Sequence, residues 1–362
     1  MSARVDIAVV GAGASGIAAA ISAARAGCKT LLLDSRSSAG GTGGHSGLNT
    51  LCGLYDDAGN FLNDGFPREF ADAIAETKPV KMGRVHVLPY RPAKFRETAE
   101  RLLQGEANLS MTWSALLKDV TAGDGRVVRV NGQEVGAVID CTGTAEVARA
   151  VNADCLATDE TTQSPAVIFQ LRDVKRDFSS AAAVTQILLP LARAGFPPLN
   201  FQPDLEPGTI TIKFTGLPEQ VLQVIDFLKA KAAGFENCSC PTTEFKVTQR
   251  AGRMIIGRHV LTGDDVLSAR TFPDSVARCA WPIEQWDANG IARYRYLPEG
   301  GHYDIPAGCL RAAKIENLFM AGKTISADVD AIASARVMGC CLATGAAAGN
   351  LAAKSLESMK KT

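Results

Sequence analysis

"VVGAGASGIAAAISAARAGCKTLLLD", Val9 to Asp34, is the stretch from which the fold can be read. Val5 to Val10 is apolar apart from Asp6 and has the length of a buried strand. Gly11-Ala12-Gly13-Ala14-Ser15-Gly16 follows and spells GxGxxG. Ala14 to Ala26 reads as a helix that Gly27 stops, and Lys29 to Asp34 is a second short strand closed by an acid. A strand, a glycine turn, a helix and a strand predict a βαβ start and a parallel sheet covered on both faces. Each glycine has a physical reason: Gly11 for the tight turn, Gly13 for close approach of a pyrophosphate, Gly16 for packing helix on strand. The phosphates of such a ligand would rest on the free N–H groups of Ala14, Ser15 and Gly16, where the helix dipole is positive. Asp34 is placed to accept hydrogen bonds from both hydroxyls of an adenosine ribose, and it disfavours a 2′-phosphate.

The bulk composition sets limits. The chain has 362 residues, 46% of them hydrophobic, with a formal net charge of zero. That length can bury one large core or two intimate ones. The charge balance argues against nucleic-acid or membrane-surface partners, which would call for a basic excess. The N-terminal apolar run flows straight into the glycine turn, so it reads as a strand rather than a signal peptide, and a cytoplasmic location is expected. The small-residue stretch around Ala343 to Ala353 is interrupted by Gly345, Gly349 and Asn350 and makes a poor membrane span. Ten cysteines contain no CxxC; Cys238 and Cys240 form a CxC, and Cys340 and Cys341 are adjacent. The expectation is reduced, buried thiols and no metal site.

Further along, Ser35 to Gly59 is loop by composition. Phe66 to Thr77 and Ala93 to Leu103 read as amphipathic helices. Strand signals follow at Leu109 to Trp113, Ala115 to Val120, Val127 to Val130 and Glu134 to Asp140, with hairpin dipeptides at Asp124-Gly125 and Asn131-Gly132. This meander ends in "VIDCTG", Val138 to Gly143. From Ala166 the texture changes: strands at Val167 to Leu171 and Thr209 to Phe214, helices at Ala181 to Ala194, with Pro190 as a candidate break, and at Glu219 to Ala233. Thr262 and Asp265 have capping-box spacing. Leu318 to Ala321 reads as a short strand and Val337 to Leu356 as a long helix of small residues. The fold expected is α/β: a Rossmann-like domain over 1–155 and 305–362, with a parallel sheet and an antiparallel meander, and an inserted α+β substrate domain over 156–304.

Several segments carry a resemblance. Asp34, a few residues, then Gly40-Gly41-Thr42-Gly43-Gly44-His45-Ser46-Gly47 resembles the extended fingerprint of FAD enzymes of the glutathione-reductase-like two-domain class. "VIDCTG" resembles the second fingerprint of that class, with Cys141 where alanine is usual. "GRMIIGRHVLTGDDV", "FPDSVARCAWPIE", "YDIPAGCL" and "NLFMAGKTISADVDAIASARVMGCCLATGAAAG" together resemble the bacterial FAD-dependent oxidoreductase family, which includes heterodisulfide-reductase-like and xanthan-lyase-labelled members. The resemblance covers both ends of the chain and leaves roughly Val174 to Phe245 unmatched. It implies FAD in extended form. Ser35, Arg36, Gly41, Thr42 and His45 would lie along it, Leu116 would meet the adenine through its backbone, and Cys141, Thr142 and Gly143 would form the second fingerprint. In such proteins a C-terminal segment closes the flavin site, here through Gly322. The following helix aims its first N–H groups, here those of Val337, Met338 and Gly339, at the flavin pyrimidine oxygen, which favours the anionic reduced flavin. The wider class has Asp after that glycine; this chain has Lys323, so Asp328 is a candidate ribityl contact, or Lys323 a phosphate contact.

Candidates for chemistry are fewer. His45 would pass the flavin as a base, a substrate contact or a covalent anchor, or would be plainly structural; Cys52 is a weaker anchor candidate. Arg250, Arg253 and Arg258, with His259, could clamp a carboxylate if they face the flavin, or form a surface salt-bridge set. Arg336 could sit near the flavin or pair with Asp328 or Asp330. Tyr303 and Asp304 are candidates for the substrate side, with a structural, turn-capping Asp304 the simpler alternative. Trp281 and Trp286 read most simply as core or interface aromatics. No second GxGxxG exists, so no separate NAD(P)H domain is expected. The expected function is an FAD-dependent oxidoreductase exchanging a hydride between a small organic substrate and flavin N5, with an unidentified electron acceptor or donor and homo-oligomerisation open. The alternatives are a flavin monooxygenase or halogenase-like enzyme and an FAD-containing electron-transfer or assembly subunit.

Overall fold

β1 (Val5–Val10) pairs in parallel with β2 (Thr30–Leu33) through the crossover helix α1 (Ala14–Arg25), as the opening motif requires. The structure is a computed structural model that describes residues 4–157, 163–176, 178, 180–287 and 289–360. After a loop, α2 (Gly41–His45) makes one short turn. β3 (Thr50–Cys52), β4 (Val80–Met82) and β5 (Val85–Pro89) form a small antiparallel sheet. α3 (Phe66–Ile74) and α4 (Pro92–Gln104) pack through Phe70 and Phe95, edge to face at 4.8 Å. β6 (Leu109–Thr112) extends the parallel sheet beside β2. The meander then runs through β7 (Val120–Gly123), β8 (Arg126–Val130) and β9 (Gln133–Asp140), and β9 returns parallel to β1. Both hairpin dipeptides have positive φ at both residues, the backbone that suits the strand twist. The strand expected from Ala115 begins only at Val120. Ser114 turns the chain with φ 55°, and the Ala115 N–H donates to Asp34 O rather than to a neighbouring strand.

Beyond α5 (Glu146–Val151), a second sheet forms from β10 (Ala166–Leu171), β11 (Leu199–Pro203), β12 (Ile210–Phe214) and β13 (Val247–Thr248), in the order β11-β12-β10-β13. One face carries Val167, Phe169, Ile212 and Phe214. It packs against Ile187 and Leu191 of α6 (Ala181–Arg193) and Val224 and Leu228 of α7 (Val221–Lys231) in a core of its own. α6 runs through Pro190 instead of breaking there. By strand alternation, the other face presents Ile168 and Lys213, which are register partners, together with Asn200 and Gln202.

The chain then returns. α8 (Gly263–Leu267) carries the expected capping box: Thr262 Oγ1 accepts from Asp265 N–H and Asp265 Oδ2 accepts from Thr262 N–H. β14 (Ser275–Cys279), β15 (Ile283–Trp286), β16 (Ala292–Arg295) and β17 (Tyr303–Pro306) form two antiparallel pairs. β18 (Leu318–Met320) joins β9 in parallel, completing a seven-stranded sheet whose main path is β6-β2-β1-β9-β8-β7. α9 (Val329–Ala335) and α10 (Met338–Lys360) close the fold. The separate core ends near Cys238. Met254, Leu261, Ala277, Ile283 and Tyr303 belong to the large core shared by α1 and α10.

Two further features depart from, or explain, the sequence. Cys279 and Cys340 are joined in a disulfide, with Cα atoms 5.9 Å apart and both residues buried; this corrects the expectation of ten reduced thiols. Gly345 and Gly349 of α10 lie on α1 so closely that added Cβ atoms would stand 2.1 Å from Ser15 O and 2.4 Å from Ala19 O. That contact is why the helix is made of small residues. Among the described residues no single helix is long and apolar enough to cross a membrane.

Candidate functional site

A cleft of about 700 Å³ runs between the glycine turn and the polar face of the second sheet. Its floor is made of backbone. Gly11, Gly13, Ala14 and Ser15 line it where β1 gives way to α1. Gly11 sits at φ +101°, and a Cβ there would meet Cys141 O at 2.5 Å; a Cβ on Gly16 would meet Gly11 O at 1.6 Å. Gly16 therefore does not line the cleft but permits its geometry. Gly41 lies on Gly13, where its Cβ would be 2.6 Å from the Gly13 Cα, so the second glycine pair is placed beside the first. Asp34 lines the cleft and is buried; its Oδ2 accepts from Ala12 N–H at 2.5 Å and its Oδ1 from Arg36 N–H at 2.7 Å. A carboxylate has about four acceptor positions, so two remain for a ligand.

Arg36, Thr42, Cys141, Thr142 and Gly143 also line the cleft. The turn bearing the last three is held by Asp140, whose oxygens accept from Thr142 N–H and Oγ1 and from the N–H groups of Val147 and Ala148. Burial pushes the Asp140 carboxyl above its usual range despite those bonds. At the far side Val337 and Met338 line the cleft at the start of α10, whose first N–H groups have no acceptor within the helix. Gly339 and Gly322 lie behind the wall: their Cβ atoms would meet Gly53 C at 2.5 Å and Ser15 Oγ at 2.7 Å.

Several expected residues lie elsewhere. His45 is outside the cleft; its Nε2 is 3.1 Å from Ala39 O, because one turn of α2 carries Gly41 and Thr42 inward and His45 outward. Ser35 is exposed and does not line the cleft. Leu116 is 63% exposed and does not line the cleft, and its carbonyl accepts from Asn131 Nδ2. Asp328 caps α9, accepting from Ala331 N–H at 2.7 Å and Gly263 N–H at 2.9 Å, whereas Lys323 lines the cleft. Of the arginine cluster only Arg250 reaches the cleft. Arg253 bonds through its main chain to Gly143 O, Arg258 is exposed, and His259 packs on Phe272. Tyr303 bonds Ser334, and Asp304 accepts from Phe272 N–H. Cys52 does line the cleft, and burial pushes its thiol up to about 11.

On the other wall the sequence reading named Arg250 and Arg336 as flavin-side candidates but missed Lys213 and Glu284. Lys213 projects from the polar face of β12, where the alternation in Ile210-Thr211-Ile212-Lys213-Phe214 was the available signal. Glu284 on β15 lies beside it. Its two oxygens accept from the indoles of Trp281 at 2.9 Å and Trp286 at 2.6 Å, so neither tryptophan is merely core. Burial works to raise the Glu284 carboxyl, but Arg336 and the two indoles outweigh it and hold it below its usual range. Burial lowers both Lys213 and Arg250, the latter to about 10 with Arg336 adding to the effect. Tyr294 and Tyr296 complete the wall. Arg336 pairs with neither Asp328 nor Asp330; it donates to Gln163 Oε1 and Glu284 O, while Arg295 takes Asp330.

The family model described as "FAD dependent oxidoreductase" matches residues 6–209 and 204–362. This chain belongs to that family. A comparison with curated protein sequences gives no significant match. Among solved structures, Aquifex aeolicus GidA superposes with a TM-score of 0.54 at 14% identity, over 98% of this chain and 64% of that one. The flavin-dependent brominase Bmp2 gives 0.52 at 11% identity, covering 99% and 79%. A flavoprotein/dehydrogenase from Cytophaga hutchinsonii gives 0.52 at 13% identity, covering 98% and 79%. At these identities the likeness is one of fold.

FAD is thus the cofactor of this FAD-dependent oxidoreductase, and the cleft fits it on its own chemistry. It offers unpaired N–H groups at a helix start for a pyrophosphate, a buried carboxylate with free acceptor positions for a ribose, and a floor that admits no side chain at Gly11 or Gly41. No cluster of residues able to hold a metal occurs among the described residues.

Proposed function

We propose that this oxidoreductase exchanges a hydride between a small organic substrate and its flavin, with the substrate held under the polar face of the second sheet. The supporting observation is that a single cleft is lined by the glycine turn, by the start of α10 and by Lys213, Arg250, Glu284 and Arg336. In this reading Gly11, Gly13, Ala14 and Ser15 cradle the pyrophosphate, and Gly16 keeps α1 close. Asp34 holds the adenosine ribose, with Arg36, Gly41, Thr42, Cys141, Thr142 and Gly143 along the extended cofactor. Lys323 replaces Asp328 as the polar group near the chain. Met338 and Gly339 present their N–H groups to the flavin pyrimidine edge, where a positive helix end favours negative charge. When bound, FAD supplies the two-electron acceptor; the chain supplies position, charge and exclusion of water. A non-covalent cofactor follows from His45 facing outward and Cys52 remaining a protonated thiol at neutral pH. The narrower kinship with heterodisulfide-reductase-like and xanthan-lyase-labelled members belongs to the same proposal and rests on the C-terminal segments. The test is to purify the yellow protein, precipitate it with acid and add hydroxy acids, amino acids and amines under anaerobic conditions. Colour left in the supernatant and bleaching by one substrate class are expected. Bleaching by none of these, with oxygen uptake only when an external reductant is supplied, would overturn the hydride reading.

A further inference from the structure

The wall formed by the second sheet and the start of α10 carries an unbalanced charge. Lys213, Arg250 and Arg336 bring three cations to it, and Glu284 is the acid among them. Glu284 cannot neutralise all three, and both its oxygens are engaged by indoles. Lys213 has no hydrogen-bonded or ion-paired partner among the described residues, and Arg336 Nε is buried without an acceptor. Arg250 lies 3.8 Å over the ring of Trp286. Its Nη1 donates to Ser164 O at 2.6 Å and Pro165 O at 3.0 Å, bonds that fix the plane of its guanidinium without cancelling its charge. Part-buried positive groups short of acceptors, of which Arg336 Nε is the fully enclosed one, are costly, and an anion removes that cost.

We propose that this wall is the receptor for an organic carboxylate, received among Lys213, Arg250 and Arg336 with its body against Trp286 and Tyr294. The proposal rests on the cofactor reading above, which assigns the two phosphates of FAD to the glycine turn and so leaves this charge for the substrate. Planar guanidinium groups match a planar carboxylate better than a tetrahedral anion. Glu284 offsets one of the three cations, and a carboxylate supplies a further negative charge where the wall carries an excess of positive ones. Substrates of this class are hydroxy acids, amino acids or unsaturated acids. Their carboxylate would anchor the molecule while the neighbouring carbon faces the flavin.

Titration of the yellow holoenzyme with benzoate, benzamide and inorganic phosphate tests this. Visible absorbance reports on the flavin environment, and calorimetry reports binding without it. Benzoate is expected to bind saturably and benzamide about 10- to 100-fold more weakly, the worth of one or two charge-assisted hydrogen bonds. Lys213→Met and Arg250→Gln are expected to weaken benzoate about tenfold or more with unchanged flavin content, and Arg250→Lys by less than Arg250→Gln. Equal binding of benzamide, absence of benzoate binding, tighter binding of phosphate, or benzoate affinity unchanged in both Lys213→Met and Arg250→Gln would each overturn the proposal. A colourless folded protein would instead overturn the cofactor reading, which keeps the two failures apart.

Discussion

The two walls of the cleft are built from different materials. The glycine-turn wall is made largely of main chain, and at Gly11 and Gly41 the backbone stands so close that no side chain could be added. The opposite wall is made of side chains: Lys213, Arg250, Glu284 and Arg336 come from four segments spread over more than a hundred residues. The first wall can recognise only what every FAD shares. The second can be altered residue by residue without moving the backbone. Cofactor binding and substrate choice are therefore separable here, and the contrast can be tested by breaking each wall in turn.

The largest effect should come from Gly345→Leu. Its Cβ would lie 2.1 Å from a backbone oxygen of α1, so the two helices must separate. An overlap this deep with backbone cannot relax within the fold and should exceed the usual overpacking cost, at about 5 kcal/mol or more; we expect loss of soluble protein or of bound flavin, read by thermal melting and flavin content. Removing the Cys279–Cys340 bridge with a Ser pair should come next, because it closes a loop of sequence separation 61. The chain-entropy argument gives about 4 kcal/mol, measurable as a fall in denaturation midpoint. Asp34→Asn should leave the fold intact and weaken FAD by about 10- to 100-fold, read by flavin retention on dilution.

Lys213→Met should do the reverse, retaining FAD while changing the pH response. The part-buried Lys213 ammonium has a lowered pKa, so the unfolded chain binds more protons than the folded one between that value and the ordinary lysine range. Stability linked to this group therefore rises with pH through that window, and Lys213→Met should flatten the rise in chemical denaturation at stepped pH. The smallest effect should be that of Leu116→Ser, within about 0.5 kcal/mol and with no change in flavin affinity, since the side chain faces solvent. A large loss of FAD in that variant would mean that the main-chain wall extends further than Asp34 and Arg36.

The same contrast explains how much was legible beforehand. The βαβ start, the meander with its Asp-Gly and Asn-Gly turns and the Thr262 capping box depend on local backbone chemistry, which leaves its signature within a few residues. Asp34 was found because it sits at a fixed distance along one such unit. His45 was misplaced because a five-residue helix reverses the direction of a side chain within one turn, something composition cannot reveal. Asp328 was misplaced because a helix cap and a ligand contact ask for the same residue type. Lys213 and Glu284 were overlooked because their importance comes from meeting each other across the fold. The Cys279–Cys340 pair, with no local spacing rule, escaped notice for the same reason.

The seating of α10 on α1 has a consequence for the whole molecule. One helix begins beside the site proposed for the diphosphate and the other beside the site proposed for the flavin ring, and they are locked glycine to backbone. The pair acts as a ruler of fixed length, setting the span between those two points. New reactions can then arise on the opposite wall with no need to re-measure the cofactor.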